Sequence, residues 1–438
     1  MPDEPAPQRI YHRLVEPDAA AERELGGPER VASGGLRLIT AGALQSIGDQ
    51  VVNAKTVLPW LLSVVGTPVA LVGLLVPIRE SGSMLPQAAL TPWVMAHPRR
   101  TRVWVVGALG QGVATLVLAA AALLLEGVLA GVVVLLALAA FALARCLCSM
   151  AAKDVQGRTL PKGQRGQVTG AATAVSGVAA LGIGLALAVH GPDVRPPVLA
   201  ALLVGAATMW GFAAVVYAGV PERPQPPAPE RGPWWSETLA LLRQDRDFRT
   251  FVLARALLLV SALSPPFLVT LAARGGSGDG AAGLLTGLGA FVVAQGLASV
   301  IGGRIVGRWA DRSSRRVMSV GSLVASAVVL AVVVAVAALP EGSPALTWSL
   351  VTAYLLISVV HVGVRVARKT YVVDVAEGDE RTRYVAVSNT AMGVLLLLTG
   401  AVSAALATLG AVAALLFLAA LGLLGAVVSR RLPEVSRG

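Results

Sequence analysis

The stretch Gly307-Arg308-Trp309-Ala310-Asp311-Arg312-Ser313-Ser314-Arg315-Arg316 is a dense basic turn wedged between two apolar runs, 281–305 and 317–339. A helix needs about 20 apolar residues to cross a bilayer's hydrocarbon core, and each run is long enough. Neither run alternates polar with apolar positions, which argues against barrel strands. The turn therefore belongs at a membrane surface, with a transmembrane helix predicted on either side.

The rest of the chain repeats this grammar. Of its 438 residues, 55% are hydrophobic and 14% charged, against about 25% charged in a soluble globular protein. Residues 1–34 are polar and mixed in charge and read as a flexible cytoplasmic tail. They hold no short apolar core with a cleavage site, as a signal peptide would. Spans are expected at 35–59, 68–92, 103–125, 128–152, 166–189 and 197–220. A Pro-rich linker follows over 221–247, ending in an amphipathic helix at 233–246 whose Trp234 and Trp235 suit the headgroup layer. Six more spans are expected at 248–272, 280–305, 317–339, 345–367, 384–408 and 409–428. The pattern predicts an all-α membrane protein of twelve transmembrane helices, in bundles over 35–220 and 248–430, with a short tail at 431–438.

The basic residues supply the topology. They gather in the amino-terminal tail and in every even-to-odd connector, for example Arg99, Arg100 and Arg102, then Lys153, Arg158, Lys162 and Arg165. The odd-to-even connectors hold only Arg195 and Arg274. Positive charge marks the cytoplasmic side, so both termini are expected there. The net charge of +11 is thereby explained as a topology signal and needs no nucleic-acid partner.

The chain is also internally repeated. One shift, without a gap, carries Lys153 onto Lys369, Arg165 onto Arg381, Arg99 and Arg100 onto Arg315 and Arg316, and Gly177 onto Gly393. A six-helix unit duplicated in tandem, with its two copies related by an axis along the membrane normal, is an architecture of secondary transporters.

With these features assembled, the opening turn resembles the signature between helices 8 and 9 of the major facilitator superfamily, Gly-x-Leu-Ala-Asp-Arg-x-Gly-Arg-Arg. Here Trp309 stands at the Leu position and Ser314 at the second Gly. The counterpart between helices 2 and 3 keeps the basic pair Arg99–Arg100 but has Met95 where Asp311 stands. The resemblance implies two pseudo-symmetric six-helix bundles around a central cavity. It implies a switch at Gly307, Asp311, Arg312, Arg315 and Arg316, with Arg99 and Arg100 opposite. Physically, a carboxylate among arginines at helix ends can pair with a neighbouring bundle and release it when two rigid halves rock. Because Asp311 has no acidic counterpart, the latch is expected to work through the second half alone.

Charges inside the spans are costly and tend to be functional. Gln45, Asp49 and Asn53 recur every four residues on one face of the first helix, with Gln50 beside them and Lys55 just beyond. Arg79 and Glu80 lie near the middle of the second span. As sequence neighbours they point about 100° apart, so the expected pairs are Asp49–Arg79 and Lys55–Glu80. Arg145 begins an Arg-Cys-Leu-Cys148-Ser149 element that resembles the superfamily's Arg-x-x-Gln-Gly in helix 4, whose arginine is associated there with proton coupling. The internal repeat sets His361 opposite Arg145 and Gln295 opposite Arg79. The interior cations, which include Arg255 and Arg365, outnumber Asp49 and Glu80, which favours an anionic or zwitterionic substrate.

Other chemistry is missing from the sequence. It holds no phosphate-binding Gly-x-x-x-x-Gly-Lys loop, no nucleophile–base pair and no metal-ligand spacing. Cys146 and Cys148 point apart on a helix and read as small buried hydrophobes. Helix 5 has Gly170, Gly177, Gly182 and Gly184 but lacks the Gly-Pro pair usual in the superfamily's drug antiporters. The expected protein is a non-enzymatic, cofactor-free, monomeric secondary transporter of the bacterial cytoplasmic membrane. It would move a small organic solute by alternating access, with protons carried through Asp49 or Glu80. Efflux antiport, organic-anion uptake and a non-transporting sensor on the same fold are the alternatives.

Overall fold

The computed structural model describes residues 5–161, 164–190, 195–222, 243, 246–274, 287–301, 313–375 and 378–434. All regular structure among them is helical. The linker helix expected at 233–246 and the turn residues Gly307, Asp311 and Arg312 lie outside the described residues.

The tail is folded, contrary to expectation. Helices α1 (Ala6–Leu14) and α2 (Ala19–Glu24) precede α3 (Pro28–Val51) and dock on it. Tyr11 is fully buried. Its ring fills a notch that exists because residue 35 is glycine, since a Cβ there would lie 2.1 Å from Tyr11 Cε2. The phenol donates to Gln164 Oε1 at 2.8 Å. Gln164 in turn donates to Glu22 Oε1 at 2.6 Å and to the Glu16 carbonyl at 3.1 Å. Burial, and after it the Glu22 charge, push the Tyr11 phenol well above its usual range. It stays a neutral donor at physiological pH.

The first two expected spans are broken. After α3 the chain turns, and α4 covers Val57–Val64. Asn53 organises the turn: its side chain accepts from the Lys55 N–H at 2.9 Å and its carbonyl from the Leu58 N–H at 3.1 Å. The second span is α5 (Val69–Val72), α6 (Leu75–Met84) and α7 (Gln87–Ala96). Pro68 and Pro86 stand at the N-caps of α5 and α7, where the missing N–H does not matter. Four long helices complete the first half: α8 (Arg100–Leu124), α9 (Gly127–Thr159), α10 (Arg165–His190) and α11 (Pro196–Ala218).

The second half opens with another broken span, α12 (Arg246–Leu257), α13 (Val260–Leu263) and α14 (Pro265–Arg274). Then come α15 (Leu288–Ile301), α16 (Ser314–Ala338), α17 (Pro344–Val375), α18 (Gly378–Leu406) and α19 (Ala411–Ser429). Eight stretches among the described residues are long and apolar enough to cross a membrane. Their outer faces carry exposed Val113, Leu136, Val215 and Leu424, a belt that suits lipid rather than water. Helices of the length of α9 and α17 measure about 50 Å, longer than the ~30 Å hydrocarbon core, so each projects beyond one face.

The duplication is visible in the packing of the two halves. Within the halves, α8 packs on α9 and α11, and α16 packs on α17 and α19. The halves meet where α4 rests on α14, α6 on α18 and α10 on α15. Small residues permit the approach: a Cβ on Gly400 would lie 2.1 Å from Pro77 Cγ, and one on Gly393 2.6 Å from Leu85 Cγ. Ser81 Oγ donates to the Gly393 carbonyl across this seam at 2.8 Å. At the end that carries the termini, α3 packs on α10 and α11, and α12 on α18 and α19, each within its own half.

Candidate functional site

The polar face of α3 leads to the interior. Asp49 is its hub. Arg145, from α9, directs one amine nitrogen at both carboxylate oxygens, and Arg79, from α6, donates to Oδ1 at 3.1 Å. The Asp49–Arg79 pair expected from the sequence is present, and Arg145 joins it. The Arg79 guanidinium also lies 5.8 Å over the Phe141 ring, a cation–π contact. Two cations on one carboxylate make a triad whose members are each less than a third exposed.

The expected Lys55–Glu80 pair is absent as an ion pair. Lys55 sits in the turn after α3, and its Nζ lies 2.9 Å from His361 Nε2 on α17. It therefore bridges the two halves. His361 Nδ1 is 3.3 Å from Ser261 Oγ. Glu80 instead lies 3.9 Å from Arg79 Nη1, with its side chain 36% exposed. Sequence adjacency had argued against that contact. The 100° between neighbours is bridged by the length of the arginine, which serves Asp49 and Glu80 together.

The remaining predicted residues are dispersed. Gln50 is half-buried on α3. Asn53 is committed to the backbone turn. Gln295 accepts from Tyr354 at 2.9 Å, within the second half. Arg255, counted among the interior cations, bonds Ser388 and Asn389 of α18. Arg368, beyond the span expected at 345–367, is half-buried and lies in the field of Arg365 and Glu80. Its place at the end of a hydropathy window concealed it, because α17 continues as a helix past the apolar run.

At the face bearing the termini, the two candidate switch turns both carry acid. Arg99 is exposed, but Arg100 is buried and lies 3.1 Å from Asp154 of α9. Glu222, just past α11, accepts the backbone N–H groups of Arg100 and Thr101, each at 2.9 Å, and so caps α8. Arg158 bonds both Asp154 and Glu222. Met95 does leave the position matching Asp311 without acid, but carboxylates are present nearby. Asp154 and Glu222 supply them from other helices, where a local motif comparison does not look. In the second half Arg315 lies 3.4 Å from Glu434, and Ser313 Oγ donates to the same carboxylate at 2.6 Å. Arg316 is exposed, and its N–H donates to Ser313 Oγ, the cap of α16. No group of metal-binding side chains occurs among the described residues.

Residues 261–437 match the model of the Major Facilitator Superfamily. No curated protein matches the chain in sequence. Solved structures of similar fold include the nucleoside transporter NupG, at 12% identity and TM-score 0.71, over 91% of this chain and 99% of that one. A peptide transporter POT in complex with sulfate aligns at 12% identity and TM-score 0.69, over 98% of each chain. A D-xylose-proton symporter aligns at 13% identity and TM-score 0.66, over 92% and 98%. The second half is thus similar in sequence to the Major Facilitator Superfamily, and nearly the whole chain shares the fold of these solved transporters.

Proposed function

We propose that the protein is a proton-coupled secondary transporter of a small organic solute, working by alternating access between bundles 35–220 and 248–430. In this reading it acts as a monomer in a bacterial cytoplasmic membrane, with both termini inside, and it catalyses no covalent chemistry. The observation that carries the reading is the interior polar constellation: Asp49 held by Arg79 and Arg145, with Lys55 of the first half on His361 of the second. Such groups are expensive inside a bilayer unless they are used. The seam of α4, α6 and α10 against α14, α18 and α15 supports a conformation closed at the far end and open toward the termini. The proton-symporting relative of like fold supports the coupling.

Glu80 is the better proton carrier of the two candidates. Asp49 is spoken for by two guanidiniums, whereas Glu80 has one contact at 3.9 Å and an open face. Proton binding at Glu80 would release Arg79 wholly to Asp49 and remove a negative charge facing Lys55, so the Lys55–His361 bridge between halves would respond. The sensor alternative, which needs every interior charge paired, is disfavoured by the unpartnered Nε of Arg255.

Single cysteines at Ser46 on α3 and Ser63 on α4 test this in proteoliposomes. A shift from pH 7.5 to 5.5 is expected to change their labelling in opposite senses from the two sides, and Glu80→Gln is expected to abolish that response. Labelling indifferent to pH in the parent protein would remove proton-linked alternation.

A further inference from the structure

We propose that the space between the halves carries a subsite for a small oxyanion, a carboxylate or phosphate group of the solute, on the wall formed by Arg255, Arg365 and Arg368. This rests on the transporter reading and names the chemistry of its solute.

The interior charges divide unequally between the halves. In the first half two carboxylates meet two guanidiniums. Asp49 engages Arg79 and Arg145, and Glu80 stands beside Arg79. In the second half the partners of Arg255 among the described residues are neutral. Arg255 donates to Ser388 Oγ and to Asn389 Oδ1, which satisfies hydrogen bonds without cancelling charge. Its Nε is buried without a hydrogen-bond partner. The charge acting on Arg255 comes from Arg368, another cation. Arg368 feels Arg365 and, from the opposite half, Glu80. Lys55, at the rim, feels Arg365 and Arg368 as well as Glu80. Its own close partner, His361, brings no negative charge.

Among the described residues, two carboxylates thus face six cations, Lys55, Arg79, Arg145, Arg255, Arg365 and Arg368, and the surplus lies on the second half's wall. A cleft of one sign with low-dielectric walls concentrates the opposite ion. Guanidinium groups match the geometry of carboxylate and phosphate oxygens. Arg365 is exposed and Arg368 half-buried, so an anion reaches them from the open end. The vacant Nε of Arg255 offers a further donor. Leaving such a wall unpaired is costly, and an anionic solute removes the cost on binding.

The test is thermal unfolding of the purified full chain in neutral detergent at fixed ionic strength. Sodium succinate and inorganic phosphate are titrated against glucose and tetramethylammonium as neutral and cationic controls. The dianions are expected to raise Tm by several degrees in a saturable way, and the controls are not. Arg365→Gln, at an exposed position, is expected to weaken the effect at least tenfold without lowering the unliganded Tm. Arg99→Gln, outside the space, is expected to leave it intact. The subsite is overturned by an absence of saturable stabilisation, by stabilisation that survives Arg365→Gln and Arg368→Gln together, or by stabilisation obtained only with phosphatidylglycerol, which would assign the arginines to lipid headgroups. The cysteine labelling separates this from the transporter reading. Alternation without dianion binding removes the subsite alone. Dianion binding without alternation removes transport and leaves the subsite standing.

Discussion

The two turns at the face bearing the termini use the same device at different strengths. In each, a glutamate just beyond the last helix of a half returns to the amino terminus of that half's third long segment. Glu222 is 1% exposed, accepts two backbone N–H groups and is held by Arg158. Glu434 is 32% exposed and meets one hydroxyl and one guanidinium at 3.4 Å. The first half also adds Asp154 between Arg100 and Arg158. A buried, multiply bonded carboxylate fixes a helix end, and an exposed one merely favours it. The first turn therefore behaves as part of a rigid body, while the second is the one able to open.

This contrast breaks most visibly at Glu222. Glu222→Ala takes one of the two carboxylates from Arg158 and uncaps α8, and is expected to cost about 3 kcal/mol or more, read as loss of folded protein or a large fall in Tm. Asp49→Asn tests whether the interior triad is as rigid as that turn. It leaves two guanidiniums competing for a neutral amide, with an expected loss of about 2–3 kcal/mol by the same measurement. Glu434→Ala is expected to cost about 1 kcal/mol or less. Raising salt to ~1 M, where the Debye length falls to about 3 Å, should erase that smaller loss and leave the Glu222 loss in place. Equal losses for Glu222 and Glu434 would end the distinction between the turns.

The tail sharpens the comparison further, since it is tied to Gln164 and to Gln167 in the first turn of α10. Gly35→Ala places a Cβ inside the Tyr11 ring space and is expected to undock α1, exposing the 15–18 segment to limited proteolysis with little change in global Tm. The smallest effect concerns pH. Tyr11's phenol is raised in the folded state, so its contribution to docking is complete below the unfolded value of about 10 and declines as pH rises above it. Proteolytic sensitivity of the tail should therefore increase past that pH, and Tyr11→Phe should remove the pH dependence.

Much of the architecture was legible because it is written in period and composition. Apolar runs marked the long helices, and Lys153, Arg165 and their repeats marked a duplication whose halves pack alike, α8 on α9 and α11 as α16 on α17 and α19. The breaks at 52–56 and in the second span were not legible. They depend on Asn53 bonding the backbone and on prolines that a hydropathy window averages away. In the site, Asp49–Arg79 followed from facing polar positions, but Arg145's share of Asp49 depends on how α9 crosses α3. Glu222 and Asp154 were invisible because pairing between distant segments leaves no local pattern. Tyr11 was missed for a related reason: a nine-residue helix with one aromatic looks like solvated tail until Gly35 is seen to make room for it.

The interruption after Val51 has a mechanical consequence. The first span is shared property: α3 packs on its own half, while α4 is clamped to α14 of the other. Any relative rotation of the halves must therefore flex the chain between 52 and 56, as a strap flexes at its buckle. Helical hydrogen bonding has already lapsed there and Asn53 carries the load, so the bend breaks little. The residue riding on that buckle is Lys55, whose amine touches the opposite half. The point of least backbone resistance and the point of charge contact between the halves are thus three residues of one chain apart at most.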